Sequence, residues 1–473
     1  MPRYNYYLIS MKLISVTLLS LIVFASCDTN PVDCCDPNPN PVDTTGTAGD
    51  GYMQYGTPFD GVPSSSDVVM YEINPLVFSS TRDFAGIMPR LDSIKDLGVN
   101  VIWLMPVYEM GTLNSVGSPY CIKDYKSINP NYGDLEDLRE LVDSAHAKGM
   151  AVMMDWVANH TSWDHLWMAD ESFYVKQNGV IIHPPGTNWQ DVAELNYSNA
   201  EMRGEMISAM KYWILEANID GYRCDYATGV PGWFWEEAID TLRSIPNRDL
   251  ILFAESDDLG LLNKGFDMAF SWGFYGTSLG VFTQGDDARG LYTQYTGEFF
   301  NLDPGKTMVR FVTNHDQNAW DDTPEALFGN QDKVMSAFVL AATMGGVPLL
   351  YNGQEKALPY KLPFFTPTSV AINWSLNRSV TKEYKAILQA YDTYDALRGA
   401  NQVNHSTFNI AAFSSAGTGH DAFVAVNPRN SAMSITLPND WQGISVLDPV
   451  NGTSLNTGNS LTLAPYQYQI LIK

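Results

Sequence analysis

From residue 67 onward, short apolar runs alternate with segments in which apolar side chains recur every three or four positions. The runs are "VVMYEI" (68–73), "VNVIWLMPV" (99–107), "MAVMMDWV" (150–157), "IDGYRCD" (219–225), "DLILFAES" (249–256), "DMAFSW" (267–272), "TMVRFVTNHD" (307–316) and "GGVPLLYNG" (345–353). Their length and continuous apolar character predict strands buried on both faces. Between them, "IMPRLDSIKDLG" (87–98), "LEDLRELVDSAHAKG" (135–149), "EMISAMKYWILEAN" (205–218) and "FWEEAIDTLRSI" (234–245) carry the helical period. Strands alternating with helices imply right-handed βαβ units and a parallel sheet. Eight such units over this length predict an α/β fold of the TIM-barrel, (β/α)₈ type rather than an open sheet.

Two stretches break the alternation. After the third strand, roughly forty residues of loop character (about 160–200) precede the next helix, which marks a short loop insertion. From about residue 399 the helices cease, and "FNIAAFSS" (408–415), "DAFVAVNP" (421–428), "SAMSITLP" (431–438) and "QYQILIK" (467–473) predict a C-terminal antiparallel β-domain. The expected domains are therefore a barrel over 67–398, with its insertion, and a β-domain over 399–473.

The first residues follow another pattern. "MKLISVTLLSLIVFASC" places a basic residue, an apolar run and small residues ahead of Cys27. This is the layout of an export signal over 1–27, and the run is too short to span a membrane comfortably. Its ending resembles a lipoprotein signal, in which the lipid is attached to Cys27. Plain secretion is the alternative. Residues 28–66, rich in Pro, Asn, Asp and Gly, read as a flexible tether. Adjacent Cys34 and Cys35 are too few for a disulfide framework, and Cys121 and Cys224 read as buried free thiols. With 28 Lys and Arg against 53 Asp and Glu, the net charge is −25. That acidity argues against nucleic acid or an anionic membrane face as a partner.

Acidic side chains at the ends of apolar strands are costly unless paired or used. Four strands end this way: "MMDWVANH" (Asp155, Asn159, His160), "GYRCD" (Arg223, Asp225), "LFAE" (Glu255) and "FVTNHD" (His315, Asp316). A barrel of this kind points such residues into one rim. One would pass as a structural cap, and the Arg223–Asp225 pair alone as an ordinary ion pair; four converging strings do not.

In this order, the four strings resemble the signature regions of the α-amylase family of retaining glycoside hydrolases. "GGVPLLYNGQE" (345–355) is similar to that family's last barrel strand, and the likeness runs over about residues 67–473. It implies hydrolysis of α-1,4-glucosidic bonds in starch, glycogen or maltooligosaccharides. It also implies Asp225 as nucleophile, Glu255 as general acid and base, and Asp316 as stabiliser of the distorted sugar. Tyr120, His160, Arg223 and His315 would contact the sugar at the cleavage point, and Asp155 would be a buried polar partner. Arg223 is expected to lower the pKa of Asp225 and hold it anionic. Asn159 matches one calcium ligand of the family, whereas Glu194 and "YATG" (226–229) depart from its calcium-dependent members. The aromatics of "SWDHLW" (162–167), Trp189 and "GWFW" (232–235) are expected, as a group, to stack on sugars. Transglycosylation, cleavage of cyclodextrin or pullulan, and glucan binding without catalysis stay open as alternatives.

Overall fold

The structure is a computed structural model that describes residues 51–300, 302–376, 379–399 and 401–473. The export signal, Cys27, Cys34, Cys35 and the first part of the expected tether lie outside the described residues. Eight parallel strands close into a barrel. In chain order they are β1 (Met70–Ile73), β2 (Val101–Leu104), β3 (Ala151–Val157), β4 (Gly221–Asp225), β5 (Ile251–Ala254), β6 (Met268–Phe270), β7 (Thr307–Arg310) and β8 (Val347–Tyr351). Closure is made where β1 pairs with β8 on one side (Met70 opposite Leu349) and β2 on the other (Met70 opposite Val101). All eight predicted runs supply a strand. Every residue of β3, β4, β5 and β8 is buried, as a sheet sandwiched between barrel interior and helices requires.

The helices start where the chain offers a cap. Asp134 accepts from the backbone N–H groups of Glu136 and Asp137, and the Asp137 carboxylate returns the bond to the Asp134 N–H, closing a capping box ahead of Leu135–His146. Asn199 caps Ala200–Glu216 through the Met202 N–H.

Two excursions rise from the strand ends. After β2, strands Tyr108–Met110 and Ile122–Ile128 form a hairpin that carries Tyr120 at its entry. After β3, His160–Ser162 pairs with Val192–Glu194 around a small hairpin, Lys176–Gln177 with Val180–Ile181. The C-terminal region has a six-stranded antiparallel sheet and a two-stranded one, Met433–Thr436 with Ser460–Leu463. These enclose a separate core that includes Phe423, Ile435, Trp441 and Leu471. Cys121 and Cys224 are buried and free. Among the described residues no helix is long and apolar enough to cross a membrane.

The last part of the expected tether differs from its composition. Residues 52–60 pack on the barrel: the Tyr55 N–H donates to the Leu215 carbonyl at 2.8 Å, the Asn218 amide to the Thr57 carbonyl at 2.9 Å, and Phe59 stacks on His146 with ring centres 4.4 Å apart. Aromatic side chains at Tyr55 and Phe59 give this Gly- and Pro-containing stretch something to bury.

Candidate active site

Arg223 is the hub of the strand-end cluster. It is fully buried on β4. Its Nη1 donates to Asp155 Oδ1 at 2.7 Å and to Asp225 Oδ1 at 3.0 Å, and its Nη2 lies 3.0 Å from Glu255 Oε2. The guanidinium stands over the Trp103 ring at 5.1 Å and the Tyr120 ring at 5.7 Å. Register explains the meeting. Arg223 on β4 lies opposite Asp155 on β3 and Phe253 on β5, so Glu255 follows two residues beyond its partner row.

Glu255 is held by backbone as well. Tyr226 turns left-handed, with φ 40° and ψ 49°, a sparsely populated conformation for a residue with a side chain. That turn aims its N–H at Glu255 Oε2, 2.7 Å away. The strained residue thus ties the two carboxyl groups that the sequence places thirty positions apart.

Asp316 reaches the cluster from beyond β7. His315 beside it is buried, with Nδ1 on the Glu72 carboxylate, Nε2 2.9 Å from the Tyr120 hydroxyl and 3.7 Å from Asp316 Oδ1. The Tyr120 hydroxyl in turn lies 3.2 Å from Asp155 Oδ2, which also accepts from Trp103 Nε1 at 3.2 Å. With both ring nitrogens of His315 protonated, the chain of donors runs from His315 through Tyr120 to Asp155 without a gap.

The charges do not cancel. Five carboxyl groups (Glu72, Asp155, Asp225, Glu255 and Asp316) face one guanidinium and one imidazole. Burial raises Glu72 and Asp316 and takes Asp155 up to about 6, while Asp316, Glu72 and the hydrogen bond to Glu72 outweigh burial and lift His315 to about 9. The expectation for Asp225 is corrected here. Arg223 does pull its pKa down, yet burial and then the Glu255 carboxylate push harder, and Asp225 lies well above the ordinary range.

The remaining expected residues divide. His160 is buried, its pKa lowered by burial to about 4, and reaches the cluster at one remove: its ring packs on Trp189 at 5.4 Å, and Trp189 packs on Tyr226 at 5.1 Å. Trp189 thus belongs with the site. Phe234 and Trp235 do not, being buried in the core with Trp235 Nε1 on the Ala227 carbonyl. Trp167 packs against Tyr125, His165 and Phe173. Glu72, Trp103 and the exposed Trp320 next to Asp316 went unmarked in the sequence reading. An acid inside the apolar "VVMYEI" was the available signal for Glu72.

Asn159, expected as a calcium ligand, spends its amide on protein. Nδ2 donates to the Gly229 carbonyl at 2.9 Å, and Oδ1 faces His160 Nδ1 at 3.2 Å. Calcium takes roughly six to eight oxygens. Among the described residues no group of three or more His, Cys, Asp or Glu is disposed to hold a metal.

Residues 57–179 match the model of the alpha amylase catalytic domain. The chain is similar to Alpha-amylase 3 of Dictyoglomus thermophilum, with 26% identity over 62% of this chain and 64% of that protein. It is similar to a cyclomaltodextrinase of Thermoanaerobacter pseudethanolicus, with 23% identity over 82% of this chain and 70% of the relative. The match to a probable oligo-1,6-glucosidase of Bacillus subtilis is 32% identical and spans 34% of that protein's length. Among solved structures, an alpha-amylase from Lactobacillus plantarum superposes with a TM-score of 0.77, at 24% identity over 86% of this chain and 99% of that one. The chain therefore has the fold of the alpha-amylases and, over residues 57–179, the sequence character of their catalytic domain.

Proposed function

We propose that the chain is a glycoside hydrolase that cleaves α-1,4-glucosidic bonds in starch, glycogen or maltooligosaccharides with retention of configuration. The observation that carries this reading is the bridging of Asp225 and Glu255 by one buried guanidinium, with Nη1 3.0 Å from the first and Nη2 3.0 Å from the second. Two carboxyl groups within reach of one guanidinium face one space, as the carboxyl pair of a glycoside hydrolase must, and the motif likeness to the retaining α-amylases supports their roles as nucleophile and acid/base.

The chemistry follows from that spacing. Asp225 attacks the anomeric carbon as its bond to the departing oxygen breaks, and Glu255 gives that oxygen its proton. Water then attacks the glycosyl–Asp225 ester; Glu255 removes the water's proton, and the Asp225 carboxylate leaves. The positive charge that develops on the sugar favours the anionic form of Asp225. Asp316, His315 and Tyr120 line the same space and are placed to bond hydroxyls of that glucosyl unit.

Asp225→Asn tests the assignment. It is expected to reduce reducing-sugar release from soluble starch by about a thousandfold or more, with an unchanged circular dichroism spectrum; retained turnover would overturn it. The likeness to a cyclomaltodextrinase over most of the chain supports a second substrate class, and product analysis on maltoheptaose, cyclodextrin and pullulan separates the two. Saccharide binding with no turnover by the unmutated chain would favour a non-catalytic role. The layout ending at Cys27 supports export and a lipid anchor, which mass spectrometry of the mature N-terminus would detect.

A further inference from the structure

We propose that Trp320 is both a stacking platform for a glucosyl unit beside the cleavage point and a positioning residue for Asp316; this rests on the reading of the site as an α-glucan site. The indole is 58% exposed, unusual for so large an apolar group, and it stands next to a carboxylate of the cluster rather than on a remote surface. Its Nε1 donates to Asp316 Oδ1 at 3.1 Å.

The exposure is not looseness. Trp320 lies in a single π-helical turn, Gln317–Asp321, directly after Asp316; such turns recur at functional sites. Phe364 and Phe365 meet the indole nearly edge-on, at 5.5 Å and 85° and at 5.3 Å and 89°. Lys361 Nζ donates to the carbonyls of Trp320 (3.2 Å) and Asp321 (3.0 Å), and the Leu362 N–H donates to Asn318 Oδ1 at 2.6 Å. The same loop reaches the Tyr120 hairpin, where the Thr366 N–H donates to the Gly117 carbonyl at 2.8 Å.

A wide aromatic surface is thus braced on its edges and open beside Asp316. The ligand chemistry that fits is a ring with one apolar face of C–H groups and polar hydroxyls at its edge, which is a glucosyl unit: its face stacks on the indole while a hydroxyl reaches Asp316. The two roles separate by substitution. Phenylalanine keeps a flat ring and loses the N–H; alanine loses both.

Binding is read by titration calorimetry with maltoheptaose on the Asp225→Asn protein, so that no turnover is needed. Adding Trp320→Ala is expected to weaken binding about tenfold, and adding Trp320→Phe by less than about threefold. On the active enzyme, Trp320→Phe removes a hydrogen bond to the ionised Asp316, so the acid limb of kcat/KM is expected to move to higher pH. Unchanged maltoheptaose affinity in the alanine variant overturns the platform, and an unmoved acid limb in the phenylalanine variant overturns the positioning role. If the unmutated chain turns over no glucan yet binds maltoheptaose through Trp320, the hydrolase reading falls and the platform stands.

Discussion

Glu72 shows how a single side chain can set the working state of its neighbours. It is fully buried on β1, and its carboxylate bonds His315 Nδ1, which helps lift His315 to about 9. Glu72→Gln keeps the shape and removes the charge. The imidazolium should then lose its proton at lower pH, moving the alkaline limb of the pH–rate profile toward acid. A charge-assisted hydrogen bond contributes roughly 1.5–3 kcal/mol, about one to two pKa units, so kcat/KM at pH 7.5 should fall by up to about fivefold. The same pair has a stability consequence. The folded pKa of His315 lies above its ordinary 6.5, so its stabilisation is complete below about 6.5 and is lost as pH rises through about 9. Urea midpoints measured from pH 6 to 10 should show a loss over that window in the unmutated chain and a flatter curve in Glu72→Gln. A parallel curve would show that Glu72 does not hold the imidazolium.

At the scale of elements, the barrel seam between β4 and β5 depends on one glycine. Gly221 has φ 155°, and a Cβ there would fall 2.0 Å from the Ile251 carbonyl oxygen and 2.9 Å from its nitrogen. Backbone cannot yield as a flexible side chain can, so Gly221→Ala should destabilise the fold by about 2–3 kcal/mol, read as a lower urea midpoint. The strands themselves were legible because parallel strands covered on both faces must be continuous apolar runs, and the acids that end them were legible because nothing in a core accounts for them. Other features were hidden for physical reasons. Glu72 sits alone among apolar neighbours, where its partner, His315, is distant in sequence. The strand Ile122–Ile128 buries only Ile122 and Tyr125, leaves its other positions half-buried, and reads as a polar loop. Tryptophan serves cores and sugar sites alike, so Trp235 and Trp320 could be told apart only by their packing. Arg223 is expected from the sequence to decide the charge of Asp225; the burial, and after it the neighbouring carboxylates, that outweigh it exist only once the strands are side by side.

Across the whole molecule, the strap of residues 52–60 and the catalytic rim work at different places. The strap's contacts converge on the starts of strands. Phe59 stacks on His146, His146 Nε2 is 2.7 Å from Asp220 Oδ2, and that oxygen accepts the Val152 N–H at 2.8 Å, at the beginning of β3. Arg248 adds a bond from Nη2 to Gln54 Oε1 at 2.7 Å, and Tyr55 donates to Asp143 at 2.8 Å. Asp225, by contrast, ends β4, and Glu255 follows β5. In a barrel the strand starts govern stability and the strand ends govern chemistry. Phe59→Ala should therefore cost about 1–2 kcal/mol, since the ring is half-buried and stacked on one face rather than enclosed, and should leave kcat and KM on soluble starch unchanged at a temperature where the variant is folded. Tyr55→Phe, which loses one exposed hydroxyl bond, should cost less than about 1 kcal/mol. A change in kcat in either variant at full folding would mean that the strap communicates with the rim through β3 and β4, the two strands whose starts it clamps and whose side chains Asp155 and Arg223 form the buried pair at the centre of the site.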